Sequence, residues 1–220
     1  MTHPVVVTGA AGFLGNCVSR YLAEQGLSVV GIDLVEEQPD FPGTFIGGVD
    51  LTDASDTSKA FGGPATAGGI AGLASIAGGF RWETVMDGSP ESWDFLYRIN
   101  VRTALNAARA AVPLLNPGAG IVNVGSAGTL KALTGMGAYT ASKSGVARLT
   151  EALAEEHKGK IRVNAVLPSI IDTPVNRADM GDAEADRWVR PEELAQVISF
   201  LLSNAASAVT GACIPVVGRV

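Results

Sequence analysis

The sequence predicts an α/β protein of one domain, built on a doubly wound parallel sheet of about seven strands. Three observations carry that prediction. Short β-branched runs alternate with helix-length amphipathic segments along the whole chain, as repeated βαβ units require. A glycine-rich turn, Gly9-Ala-Ala-Gly12-Phe-Leu-Gly15, joins the first such run to the first helical segment. An acidic residue, Asp33, closes the second run eighteen residues beyond Gly15.

Composition sets the outer bounds. The 220 residues, 47% of them apolar, suffice for one sizeable core without staples, so a single domain over 1–220 is expected. A net charge of -6 argues against nucleic-acid and anionic-membrane partners, which demand concentrated Lys and Arg. Cys17 and Cys213 lack Cys-x-x-Cys or His spacing, so no metal is expected, and both read as free, buried thiols of a reducing cytoplasmic setting. No apolar run reaches membrane-spanning length, and Val5-Val6-Val7 has neither the basic leader nor the length of a signal peptide.

In chain order, Pro4 to Thr8 is the first strand, and the helix after the glycine turn is placed at Asn16 to Gln25. Backbone amides and the positive helix end at such a turn can approach a pyrophosphate, which makes Gly9, Gly12, Phe13, Leu14 and Gly15 candidate dinucleotide contacts. The second strand, Leu27 to Ile32, delivers Asp33 and Leu34 to the adenosine end. A carboxylate there accepts from ribose hydroxyls and repels a 2′-phosphate, so NAD is favoured over NADP. The alternative is a strand-end Asp that only caps a turn. The third strand, Thr44 to Val49, ends at Asp50-Leu51, and Asp50-Leu-Thr-Asp53 also reads as a helix N-cap. The fourth, Ile70 to Ile76, runs into Ala77-Gly78-Gly79, and the short connection before it predicts a trimmed or irregular helix.

Ser89-Pro90-Glu91 opens a long amphipathic helix reaching about Leu115 and carrying Asn100. A strand-like run around Ile121 to Val124 closes on Ser126, and a helix follows from Ala138. On that helix Tyr139 and Lys143, four positions apart, share one face. A neighbouring cation favours phenolate, so Tyr139 could exchange a proton with an oxygen held by Ser126; an ordinary exposed pair is the alternative. The sixth strand, Ile161 to Leu167, leads into Pro168-Ser-Ile-Ile171-Asp-Thr173. Arg190-Pro191-Glu192-Glu193 starts the last helix, and Ile214 to Val217 is the last strand.

Asn-Val-Gly-Ser126 followed by Tyr139-Thr-Ala-Ser-Lys143, with the glycine turn in its place, resembles the signature of the short-chain dehydrogenase/reductase family. The likeness extends over nearly the whole chain. It implies a Rossmann-like fold and an NAD(H)-dependent oxidoreductase that interconverts a carbonyl and an alcohol. By that resemblance Ser126 polarises the carbonyl or carbinol, Tyr139 is the acid/base, and Lys143 lowers its pKa and contacts the nicotinamide ribose. Asn100 matches the member that helps hold a water relay beside the lysine. Asp50 and Leu51 would lie along the adenine, Ala77 and Gly78 on the nicotinamide ribose, and Pro168, Ile171 and Thr173 at the carboxamide. The resemblance further implies a homodimer or homotetramer and a small-molecule carbonyl/alcohol substrate. A short lid near 174–190 would bound that substrate, with Asn176, Arg177, Met180 and Trp188 as candidate lining or ordinary lid packing.

Two departures stand out. The spacing Thr-Gly-x-x-Gly-x-x-Gly is more usual in the family's extended branch of epimerases and dehydratases than in its classical members. Ser75 and Ile76 replace the Asn-Asn pair that usually precedes Ala-Gly. A redox-neutral NAD-using epimerase or dehydratase, and a non-catalytic dinucleotide sensor, therefore stand as alternatives. Against them, 220 residues cannot supply the extended branch's substrate domain, and a sensor needs no acid/base.

Overall fold

The structure, a computed structural model, describes residues 3–220. Its strands are β1 (Val5–Thr8), β2 (Val29–Ile32), β3 (Thr44–Ile46), β4 (Ile70–Ser75), β5 (Leu115–Val124), β6 (Arg162–Pro168) and β7 (Cys213–Val216). They form one parallel sheet in the order β3-β2-β1-β4-β5-β6-β7. The order reverses between β1 and β4, and the crevice above that switch point is where open α/β sheets take ligands.

Strand side chains alternate between two apolar layers, because each successive residue of a strand faces the opposite side. Val6, Val30, Ile32, Leu73, Ile121 and Val163 pack beneath α2 (Ala54–Phe61), α4 (Thr103–Ala111) and α5 (Gly137–Glu156). Val5, Val7, Val29, Ala74, Val122 and Val166 pack beneath α1 (Phe13–Glu24) and α7 (Pro191–Leu202). At the edge away from the crevice, buried Arg162 donates to the carbonyls of Leu202 and Ser203, tying the start of β6 to the end of α7.

Several boundaries differ from those the sequence suggests. Helix α1 begins at Phe13 rather than Asn16, because extended Gly12 serves as its N-cap without any side-chain cap. β3 stops at Ile46, before Gly48 at φ 69 turns the chain. The trimmed β3–β4 connection keeps a real helix, α2, whose N-cap Asp53 accepts from the amides of Ser55 and Asp56. The single long helix expected from Ser89 to Leu115 is instead four pieces: α3 (Pro90–Leu96), a π-helical turn (Tyr97–Arg102), α4 and a 3-10 turn (Val112–Leu114), with Leu115 already in β5. The π-helical turn inserts a residue into the ladder and re-aims its side chains. The 174–190 segment, expected as a lid, holds a helix, α6 (Pro174–Met180), capped by the Thr173 hydroxyl. Cys17 and Cys213 are free as expected, but half-buried rather than buried. Among the described residues no helix is long and apolar enough to cross a membrane.

Candidate active site

The predicted residues converge on the carboxyl ends of β1, β4, β5 and β6. The glycine turn is tight because its backbone segments touch. A Cβ on Gly15 would lie 2.0 Å from the Gly9 carbonyl oxygen, and one on Gly9, already at φ 67, would lie 2.8 Å from Ala77 Cα. With no side-chain cap on α1, the amides of its first turn at Phe13, Leu14 and Gly15 have no helical partner. Asp33 stands beside them. Its Oδ2 accepts from the Ala11 amide at 2.9 Å and its Oδ1 from the Leu34 amide at 2.7 Å. Uncapped amides, a cradle that any Cβ would fill and a carboxylate at its rim fit a dinucleotide.

Asp50 and Leu51 lie beyond the end of β3. The Asp50 carboxylate accepts from the Thr52 amide at 2.8 Å, the turn-capping alternative, while the Leu51 side chain is buried in the core. At the other end, Pro168 ends β6. The Ile171 carbonyl accepts from Asn176 Nδ2 at 2.7 Å and the Thr173 hydroxyl from the Asn176 amide at 3.2 Å, so α6 occupies these polar groups. Arg177 is held between Asp172 and Asp182, and Trp188 is buried, so the polar group of the first is already paired and the ring of the second is packed inside the fold.

A polar junction forms beneath Gly78 and Gly79. The π-helical turn aims the buried Asn100 side chain at the Gly79 peptide, accepting from its amide at 3.0 Å and donating to its carbonyl at 3.1 Å. Asn100 Nδ2 also donates to Ser142 Oγ at 3.0 Å, linking α5 to this junction. Lys143, buried, donates to the Val124 carbonyl at 2.8 Å. A Cβ on Gly78 would sit 2.5 Å from Asn100 Oδ1 and 3.3 Å from Lys143 Nζ, so both side chains close on this glycine.

Ser126, at the end of the β5 segment, is buried and accepts from the Gly128 amide at 3.1 Å. The Tyr139 ring is half-buried beside it and meets the Phe80 ring edge-on, with centroids 4.9 Å apart. Burial pushes the Tyr139 phenol up, and the hydrogen-bonding influence of the Ser126 side chain opposes that rise. This differs from the expected lowering by Lys143. The amine points to the Val124 carbonyl instead of the phenol, and its own pKa is pushed down to about 8 by burial.

Four residues here escaped the sequence reading. Thr8 Oγ1 accepts from the Ile76 amide at 3.1 Å and holds the turn after β4. Ser142 anchors Asn100, Phe80 packs on Tyr139, and Trp82 packs over Gly135. Ser142 lay in plain view between Tyr139 and Lys143; the other three depend on contacts between distant segments. Among the described residues no group of His, Cys, Asp or Glu could hold a metal.

A sheet of this order, with a glycine cradle at its switch point, defines a Rossmann-like α/β protein. Residues 9–218 match the family model described as enoyl-(acyl carrier protein) reductase. The chain belongs to the short-chain dehydrogenase/reductase family. It is 31% identical to the 3-oxoacyl-acyl-carrier-protein reductase FabG of Thermotoga maritima, covering 97% of this chain and 95% of that one. It is 32% identical to a cyclohexanol dehydrogenase of an Acinetobacter species, covering 94% and 90%. A solved short-chain dehydrogenase/reductase of Brucella melitensis superposes with a TM-score of 0.87 at 28% identity, covering 99% of this chain and 98% of that one.

Proposed function

We propose that this protein is an NAD(H)-dependent oxidoreductase that interconverts a carbonyl and an alcohol, with Tyr139 moving the proton. The convergence of Ser126, Tyr139, Lys143 and Asn100 at the mouth of the glycine cradle carries this reading. NAD, when bound, supplies the hydride acceptor and NADH the donor. The uncapped first turn of α1 holds the pyrophosphate, and Asp33, followed by Leu34, Val35, Glu36 and Glu37, offers no cation for a 2′-phosphate. Ser126 orients the substrate oxygen, and Tyr139 donates to it in reduction or accepts from it in oxidation. Lys143 and Asn100 hold the polar floor beneath Gly78, where protons can be relayed.

Tyr139→Phe tests the reading. Turnover is expected to fall by at least about a thousandfold with NADH affinity nearly unchanged, as for the loss of an acid/base. Retained turnover in that variant defeats the mechanism. Oxidation with net release of NADH, followed by nicotinamide absorbance, separates it from a redox-neutral reaction.

A further inference from the structure

The segment between β4 and α3 (residues 76–89) and the segment joining Ser126 to Tyr139 (residues 127–136) carry an unusual surface. Phe80, Trp82, Val85, Met86, Leu130 and Leu133 are each more than half exposed, an apolar concentration of the kind that marks a binding face. The two segments are fastened together. A Cβ on Gly135, at φ 75, would lie 2.1 Å from the Trp82 indole, the Glu83 amide donates to the Gly135 carbonyl at 3.0 Å, and Val85 reaches to 3.2 Å of a Cβ on Gly137. Phe80 packs on the Tyr139 ring itself.

The charges of the 76–89 segment are spent on its own scaffold. Arg81 lies 3.9 Å over the Phe95 ring and donates to Ser92, Glu83 accepts from Ser92 and Ser89, and Asp87 accepts from Thr84. On the 127–136 segment Lys131 is the lone charge, and the Thr129 hydroxyl is taken by the Ser126 carbonyl. A polyol or an anionic substrate would find few free partners here, and its polar groups would be desolvated without compensation.

Resting on the oxidoreductase reading above, we infer that Phe80 and Trp82 form a specificity wall that selects an apolar, ring-bearing secondary alcohol or its ketone. The carbinol carbon gives its hydrogen with two electrons to NAD and its hydroxyl proton to Tyr139 in its phenolate form, which passes a proton on to solvent, so alcohol plus NAD becomes ketone plus NADH and a proton. The apolar body of the substrate lies against Phe80 while its oxygen meets Ser126 and Tyr139.

The test uses 1-indanone and xylitol as probes, with wild type, Phe80→Ala, Phe80→Leu and, as a remote control on α7, Phe200→Ala. Calorimetry reads 1-indanone binding to the NAD-saturated protein, and absorbance reads its reduction with NADH. Phe80→Ala should weaken indanone binding and raise KM about tenfold, the scale of one lost apolar contact, with kcat little changed. Phe80→Leu should restore most of the loss, and Phe200→Ala should change nothing. Indanone binding no tighter than xylitol, or indifferent to Phe80→Ala, overturns the wall. So does a change in oligomeric mass in Phe80→Ala without a change in affinity, which would make this face a contact between copies. Phe80-dependent binding with no consumption of NADH by wild type instead overturns the oxidoreductase reading and upholds the wall as a ligand surface.

Discussion

Replacing Lys143 with Met removes a cation from a site where burial alone shifts its titration, so stability should change with pH in a defined window. Lys143 is buried, its Nζ donates to one carbonyl, and no carboxylate pairs with it among the described residues. Its pKa falls from 10.5 to about 8 in the folded state. Below about pH 8 both folded and unfolded chains carry the proton, and the folded state bears the full cost of the buried charge. Between about 8 and 10.5 the folded chain binds fewer protons than the unfolded one, so stability rises with pH through this interval. Above it both forms are neutral and the cost is gone. The displacement corresponds to roughly 3 kcal/mol. Lys143→Met keeps the apolar stem and lacks the amine, so it should not show this rise. Urea unfolding of both proteins across the interval isolates the effect, because every other titrating group cancels in the difference. Relative to the variant, wild type should gain roughly 3 kcal/mol from neutral pH to the top of the window. Two curves that stay parallel would mean that the amine reaches water or a counter-charge, and the description of a buried, singly bonded lysine would fail.

Two further substitutions probe the cradle and the junction. Gly78→Ala places a methyl group 2.5 Å from Asn100 Oδ1, so Asn100 must give up its bonds to Gly79 and Ser142. Loss of that alignment should lower kcat at least about tenfold and cost about 2 kcal/mol of stability; unaltered kcat would show that Asn100 and Lys143 need not close on this glycine. Asp33→Ser removes the carboxylate that accepts from Ala11 and Leu34. The ratio of NADPH to NADH affinity, measured by fluorescence titration, should rise at least about tenfold, and an unchanged ratio would remove the argument for NAD.

The sheet was legible because its signals are local. β-branched runs such as Val5-Val6-Val7 and Ile121-Val122 face two apolar layers, and a parallel strand buried on both sides reads as a continuous apolar run. Asp33 and the glycine turn were legible for the same reason, since strand, turn and helix are contiguous in sequence. What stayed hidden is set by partners far along the chain. The π-helical turn at Tyr97–Arg102 leaves no mark on helical periodicity, and its reason, the grip of Asn100 on Gly79 and Ser142, spans segments that meet only in the fold. The direction of Lys143 was hidden likewise. Spacing places it beside Tyr139 on α5, but the Val124 carbonyl competes for its amine, and no residue count reveals a backbone acceptor left open at a strand end.

The two departures from the family pattern can be weighed by what each does to the cradle. Ser75-Ile76 forgoes a pair of side-chain amides, yet the turn after β4 is still held: the buried Thr8 hydroxyl accepts from the Ile76 amide at 3.1 Å and from the Ala77 amide at 3.4 Å. β1 thus supplies from its last residue what β4 lacks. The glycine spacing can be judged in the same way. Gly9 and Gly15 are the positions where a Cβ would strike backbone, at 2.8 Å and 2.0 Å, and neither can be replaced without moving the turn. A Cβ on Gly12 would come only to 3.2 Å of the Gly9 carbonyl, a contact that a small shift relieves. The closeness of the cradle therefore resides in its outer glycines, and the position of the middle one says little about whether the reaction is redox-neutral. That choice falls to the residues around Ser126 and Tyr139.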